Sequence, residues 1–417
     1  MSFRNWLLPN LLFFPLAAHW LLPAGLEDTL YVNIGLPFFL PDICYFLYII
    51  LYNKKRENKK CMNSNTRNKV VVLSAILFIY SFFQLLLFTS CPFEDVFLLL
   101  LCNSSFVYFP FIFFAFPLTR PQIQPVKKIL LFTSLIIVLE VILYGSGLLF
   151  YTAAGGDEYD LGYDYGGIVR VNTTIGAATG TGLVLCLVGI FVLCFIDLKS
   201  YIRFIFLGLN TVGVFFTISR GSIITWSLFL FFYFISLVKG VKKKNFGKVV
   251  LPICLFAAIM YYGGVLDPVL EREQTKREIG SDMTSGRDDR VNSVFQIINN
   301  SGGMGVGSGR VYPEKCLIDI IKSPYRMGPH NVYLTYLAEL GYIGTVLIII
   351  MYVIIIFRIG FHSTIGKIIP IIFLVNFNTE ALIITAEVLP FIFFMLMVGV
   401  QNSKKNNNEK NIIFGNV

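Results

Sequence analysis

Residues 328–357 read GPHNVYLTYLAELGYIGTVLIIIMYVIIIF, a polar segment running directly into an apolar one. From about Tyr333 onward the stretch is long and apolar enough to be read as a membrane helix. The residues just before it are of another kind: Gly328, Pro329, His330 and Asn331 close a polar segment that reaches back to about residue 266. Glu339, Gly341 and Gly344 then enter the apolar run. A histidine takes a proton near neutral pH, and this is one of three in the chain. Asn331 suits a helix N-cap.

The same alternation of apolar runs and short polar connections extends over all 417 residues. Hydrophobic residues make up 56% and charged residues 14%. A soluble chain averages roughly 25% charged residues, so an ordinary soluble domain is excluded. The fold class expected is an all-α polytopic membrane protein of about twelve transmembrane helices with one long periplasmic loop. Helices are predicted near 5–24, 30–52, 70–90, 95–117, 129–151, 171–196, 204–219, 222–238, 249–265 and 333–357, with a hairpin near 368–400. The chain divides into N-terminal membrane helices over 1–265, the long loop over 266–332, C-terminal membrane helices over 333–400 and a cytoplasmic tail over 401–417. The first run, Trp6 to Leu22, lacks an Ala-x-Ala-like cleavage site and contains Pro9 and Pro15, so it reads as a retained membrane segment.

The net charge of +9 does not point to nucleic acid, because its distribution is that of a sorted membrane protein. Basic residues gather in alternate connections: Lys54 to Lys60, then Arg120, Lys127 and Lys128, then Lys199 and Arg203, then Lys239 to Lys244, and Lys404 and Lys405 at the end. Positive connections mark the cytoplasmic side. Arg170 and Arg220 break the pattern, standing at helix ends on the outer side. A charge placed against the sorting rule is a candidate for function. Arg220, between Ser219 and Gly221, reads either as an interfacial anchor or as a fixed cation for a lipid phosphate. Arg170 carries the same two readings.

In the long loop, Arg287 and Arg290 stand beside Asp288 and Asp289, and surface ion pairs are the plain reading. Downstream lies Gly302-Gly303-Met304-Gly305-Val306-Gly307-Ser308-Gly309. Such glycine density reads either as a backbone that offers N–H groups to an anion or as a flexible linker. It lacks the Gly-Lys-Ser/Thr ending of a nucleotide-binding loop. Glu339, about two turns into an apolar helix, needs a polar partner. No His-Glu-x-x-His pattern or histidine cluster occurs, so no metal and no cofactor is expected. No internal repeat is evident, which disfavours a secondary transporter; a lipid-linked oligosaccharide flippase would draw on Asp42, Glu140 and Glu339.

Taken together, Ser219-Arg220-Gly221 after an apolar run, Ser285-Gly286-Arg287 in the long loop, and Pro329-His330-Asn331-x-x-Leu334 followed by Glu339-x-Gly341-x-x-Gly344 resemble the O-antigen polymerase and O-antigen ligase superfamily. Arg170 with Asn172 and Gly176 is similar to that family's earlier outer arginine element. The motifs cover roughly 165–345, and the N-terminal third matches only in being apolar and helical. The resemblance implies a GT-C-like fold and metal-independent glycosyl transfer at the periplasmic face of the bacterial inner membrane. The substrate implied is an undecaprenyl-pyrophosphate-linked oligosaccharide, with a chain-length regulator and a flippase as partners besides membrane lipid. By the same resemblance His330 is the base, Arg220 and Arg287 bind the pyrophosphate, and Arg170, Arg290, Asn331 and Glu339 line the site. Polymerase is favoured over ligase.

Overall fold

The computed structural model describes residues 6–13, 40–52, 64–88, 105–145, 178–239, 287–307, 331–360, 364–379 and 388–406. Within them the chain is helical, and no strand occurs among the described residues. In chain order the helices are α1 (6–13), α2 (Leu40–Leu51), α3 (Ser64–Phe88), α4 (Ser105–Ala115), α5 (Arg120–Gly145) and α6 (Ala178–Phe195). There follow α7 (Ser200–Phe216), α8 (Arg220–Lys239), α9 (Arg287–Asn300), α10 (Val332–Ile359), α11 (Thr364–Thr379) and α12 (Leu389–Asn406). Apolar chain in a bilayer has to satisfy its own backbone groups, and the helix does so locally.

Among the described residues three helices, Asn65–Gln84, Arg220–Leu237 and Val332–Ile359, are long and apolar enough to cross a membrane by length and composition. Their outward faces agree with that. On α10, Ile343, Val346, Ile350, Val353 and Phe357 are exposed, at alternating steps of three and four; on α3, Val72, Ile76, Ile79, Phe83 and Leu86 form a similar stripe. Apolar side chains repeated at that spacing on the outside of a bundle face lipid rather than water. The chain is an integral membrane protein.

The twelve described helices are not the twelve predicted. The helix expected near 249–265 falls outside the described residues, and α9 arises inside the polar segment read as loop. Of the helices that begin earlier than expected, α3, at Ser64, and α5, at Arg120, do so by the most. Lys127 and Lys128 therefore ride on a helix rather than in a connection. Lys127 donates its ammonium to the carbonyl of Phe195, the last residue of α6. A cation there meets the partial negative charge of a helix C-terminus.

At the centre stands α6, buried on every side from Gly180 to Leu193. Two glycines let neighbours approach it closely. A β-carbon on Gly182 would lie 2.7 Å from the hydroxyls of Ser222 and Thr217, and one on Gly189 would lie 2.5 Å from the Asn210 amide. Around its lower half the rings of Phe13, Phe113 and Phe191 converge on Phe394, with centroids 4.5, 6.3 and 5.3 Å away. These contacts tie α1, α4, α6 and α12 into one apolar core.

The ends of the helices are sorted by charge in space as well as in sequence. Ile359, at the end of α10, lies against Gly399 of α12. Gln401 donates to the carbonyl of Leu118 just before α5, at 2.9 Å, and Lys127 links the start of α5 to the end of α6. The α3 helix runs antiparallel to α10, with Ser74 against Met351 and Tyr80 against Gly344. One end of the bundle thus collects Arg67, Lys69, Lys127, Lys128 and Arg358. The opposite end holds the start of α6, the α7–α8 turn with Arg220, and Gly341.

Gly341 breaks α10, with φ 65° and ψ −169°. The hydroxyls of Tyr336 and Tyr352 meet at 3.5 Å. In a straight helix sixteen residues span about 24 Å, further than two tyrosine side chains reach. The 332–340 segment therefore bends over the interior of the bundle, where Tyr333 also donates to the Phe373 carbonyl at 2.7 Å. Nine residues rise only about 14 Å, less than half of a bilayer core of about 30 Å. The membrane helix predicted near 333–357 is thus two half-helices. Only the second has the length to cross.

Candidate active site

The first half of α10 is sandwiched. Val332, Tyr336 and Leu340 face down into the main core. On the other face Ala338, flanked by Leu334 and Leu337, packs with Val294, Ile297 and Ile298 of α9 and with Val306. Since α9 ends beside the Gly341 break and packs on residues before it, the two segments run the same way. Their N-termini, Arg287 and Asn331, lie at the same end of this cap.

The glycine run between them is a docking turn. Each backbone N–H from 302 to 307 has a partner: Asn299 O, Ile298 O, Ser301 O, the Ser301 hydroxyl, Ala338 O and Glu339 O in order, at 2.7–3.2 Å. Tyr342, the first residue beyond the break, donates its N–H to Gly303 O at 3.1 Å. The carbonyls of 338 and 339, left without helical partners by the break, are satisfied this way. Neither reading of the run from sequence survives over 302–307. These N–H groups are not open to an anion, and the segment is no loose linker. Glycine is required because φ is positive at 302, 303, 305 and 307, and because the turn backbone lies directly on the backbone of α10.

Asn331 is the N-cap of α10, accepting from Leu334 N at 3.0 Å, as the sequence suggests. Its carbonyl also accepts the Thr335 hydroxyl at 2.9 Å. Glu339 is buried, 4% exposed, beside Tyr336, with its carbonyl taken by Gly307. Arg220 is the first residue of α8 and is exposed. It follows a turn in which Ile218 takes φ 49° and the hydroxyls of Thr217, Ser219 and Ser222 are buried, Ser222 bonding Ser219 at 3.0 Å. That turn is pressed against Gly182 of α6, and Cys186 bonds the Ser222 carbonyl at 3.2 Å. Arg287 is the first residue of α9 and Arg290 lies in its first turn. His330 and Arg170 lie outside the described residues. Among the described residues no group of three or more His, Cys, Asp or Glu side chains is placed to hold a metal ion.

Two residues that the sequence reading passed over touch this assembly. Tyr80 donates its hydroxyl to Met304 O at 3.1 Å, and the Gln84 side-chain amide donates to the same oxygen. A glutamine inside the apolar run of α3 was the available signal.

Arg220, Arg287, Asn331, Glu339 and Gly341 thus lie at the start of α8, the start of α9 and along the first half of α10. Residues 204–349 match the O-antigen ligase family. That segment begins early in α7, takes in α8, α9 and the docking turn, and ends in the second half of α10. Over that segment the match supports the resemblance to the O-antigen polymerase and ligase superfamily, whose members are glycosyltransferase-like enzymes. No curated protein and no solved structure matches the chain.

Proposed function

We propose that the chain is an O-antigen, or related surface-polysaccharide, polymerase working at the periplasmic face of the bacterial inner membrane. It moves a growing glycan from undecaprenyl pyrophosphate onto a lipid-linked repeat unit. The observation that carries the reading is that the family match spans three helix starts bearing the motif residues. Arg220 opens α8, Arg287 opens α9, and His330 immediately precedes the cap of α10. Helix N-termini favour anions, and an arginine there adds a planar fork suited to phosphate oxygens.

In this reading an acceptor sugar hydroxyl attacks the anomeric carbon of the donor glycan. His330 takes the hydroxyl proton as the new glycosidic bond forms. The bond from that carbon to the pyrophosphate oxygen breaks, and undecaprenyl pyrophosphate departs with the electron pair. Arg220 and Arg287 stabilise the charge gathering on it, with Arg170 and Arg290 as further contacts. Asn331 holds the start of α10, and Glu339 supports the segment from beneath. No metal takes part. A chain-length regulator and a flippase are the expected partners.

The similarity of residues 204–349 to the O-antigen ligase family favours a second reading, a ligase that transfers the finished chain to lipid A-core. Lipopolysaccharide gels separate the two. A polymerase-null strain leaves core capped by one repeat, whereas a ligase-null strain leaves bare core with polymer stranded on its carrier. His330→Ala should reproduce the null profile while the protein still inserts in the membrane; a normal ladder from that variant would overturn the catalytic assignment. Activity that also survives Arg287→Ala would point to a flippase.

A further inference from the structure

We infer that Tyr80 and Gln84 of α3, outside the matched segment, are positioning residues for the transfer reaction, setting the cap through the single carbonyl of Met304. The inference rests on the proposed transferase reading, and it assigns a role to a part of the chain that the family match does not reach. Two donors from successive turns of one helix converge on one oxygen, the Tyr80 hydroxyl at 3.1 Å and the Gln84 amide beside it. A carbonyl has two lone pairs, so Met304 O is fully engaged. Met304 sits within the docking turn, whose backbone is bonded to residues 338, 339 and 342 of α10. The path from α3 to the break is therefore made of direct bonds. From there the two cap segments lead to Arg287 and to the cap next to residue 330.

Packing alone does not account for Gln84. Its side chain is fully buried, its Oε1 has no hydrogen-bond partner among the described residues, and the residue lies in a helix facing lipid on its other side. A buried amide with one half unsatisfied is costly, and a leucine or methionine would fill the position without that cost. What the glutamine supplies is the bond to Met304. Tyr80 adds a second function, since its ring lies where a β-carbon on Gly344 would be 3.1 Å away. It thus touches α10 on the far side of the break as well as the turn. Together the two side chains fix both halves of α10 relative to the turn. Small displacements of catalytic groups are expensive: roughly 1 Å of misplacement costs on the order of a hundredfold in rate.

The test uses the full chain in detergent or nanodiscs, with Tyr80→Phe, Gln84→Met and the double variant. Hydrogen–deuterium exchange over 301–307 should rise on the order of tenfold in the double variant, with α6 and α12 unchanged. Turnover of a lipid-linked repeat unit should fall by about ten- to a hundredfold, while KM for that substrate moves by about threefold or less. Unaltered exchange at 301–307 overturns the inference, as does equal loosening of α6 and α12. Faster exchange with undiminished kcat overturns the positioning role. If His330→Ala retains full turnover, it is the transferase assignment that falls, and the exchange result on Tyr80 and Gln84 is unaffected by it.

Discussion

Gly305 stands so close to Gly341 that a β-carbon on Gly305 would lie 2.4 Å from the Gly341 nitrogen. A β-carbon on Gly341 would meet the same turn more tightly still, 2.3 Å from the carbonyl oxygens of Gly303 and Met304. Gly305 and Gly341 both have positive φ. Gly341→Ala should therefore unseat the docking turn, costing on the order of 3 kcal/mol through overlap and backbone strain. Gly302→Ala, where φ is also positive but the space is open, should cost only about 1 kcal/mol. Thermal unfolding of the two variants in detergent checks the contrast.

Asn331 holds the first turn of α10 by its side chain. Asn331→Ala should lose about 1 kcal/mol, with Asn331→Asp close to neutral. Because the cap adjoins residue 330, turnover should fall in the alanine variant more than stability does. Equal turnover in all three proteins would show that the geometry of this turn does not matter to the reaction.

The turn bearing Arg220 can be disturbed without touching the arginine. Gly182→Val would drive side-chain atoms into the hydroxyls of Ser222 and Thr217, both 2.7 Å from the position of a β-carbon. It should depress turnover as strongly as Arg220→Ala, although no charge changes. Gly213→Ala, whose β-carbon would be 3.4 Å from its nearest neighbour, serves as the permissive comparison. The readout is polymer per unit of membrane-inserted protein.

Arg220→Lys separates a planar fork from a point charge. If the guanidinium grips a pyrophosphate through two parallel bonds, the lysine variant should lose about tenfold or more in kcat/KM. Full activity would mean that a positive charge alone suffices.

Lys127→Met tests the other end of the bundle. Removing the cation from the C-terminus of α6 should cost about 1 kcal/mol of thermal stability. Turnover of the surviving protein should be unchanged, since the residue lies at the opposite end from Arg220 and Gly341.

Much of the membrane character was legible because hydropathy and charge sorting are one-dimensional signals. Of the basic clusters assigned to one side, Lys127 and Lys128 lie at the end of the bundle that also holds Arg358, and Asn331 is the cap its position suggested. What stayed hidden depends on what the chain meets in space. The α9 helix was missed because only a few of its residues, Val294, Ile297 and Ile298 among them, are buried, and they show as core only once 334–338 lie over them. The glycines of 302–307 announced close backbone approach but not the partner, which proved to be the carbonyls of 338 and 339 at the break in α10. Gly341 was named only as part of the Glu339-x-Gly341-x-x-Gly344 pattern, and the break it makes in α10 was not foreseen. For the candidate site, the sequence named the residues, and the structure adds helix-terminal settings for Arg220, Arg287 and Asn331. His330 and Arg170 lie outside the described residues, and the roles of all these residues rest on the proposal.

The bend at Gly341 changes how compartment reporters spliced into this chain should be scored. An enzyme tag inserted after Gly307 and another after Leu340 should signal the same side, although an eye following apolar residues would count most of a crossing as already begun at the second site. The signal should switch only for insertions past Ile359. A topology map drawn from sparse fusions on either side of that interval would still have the right parity, and would assign residues 332–340 to the wrong environment.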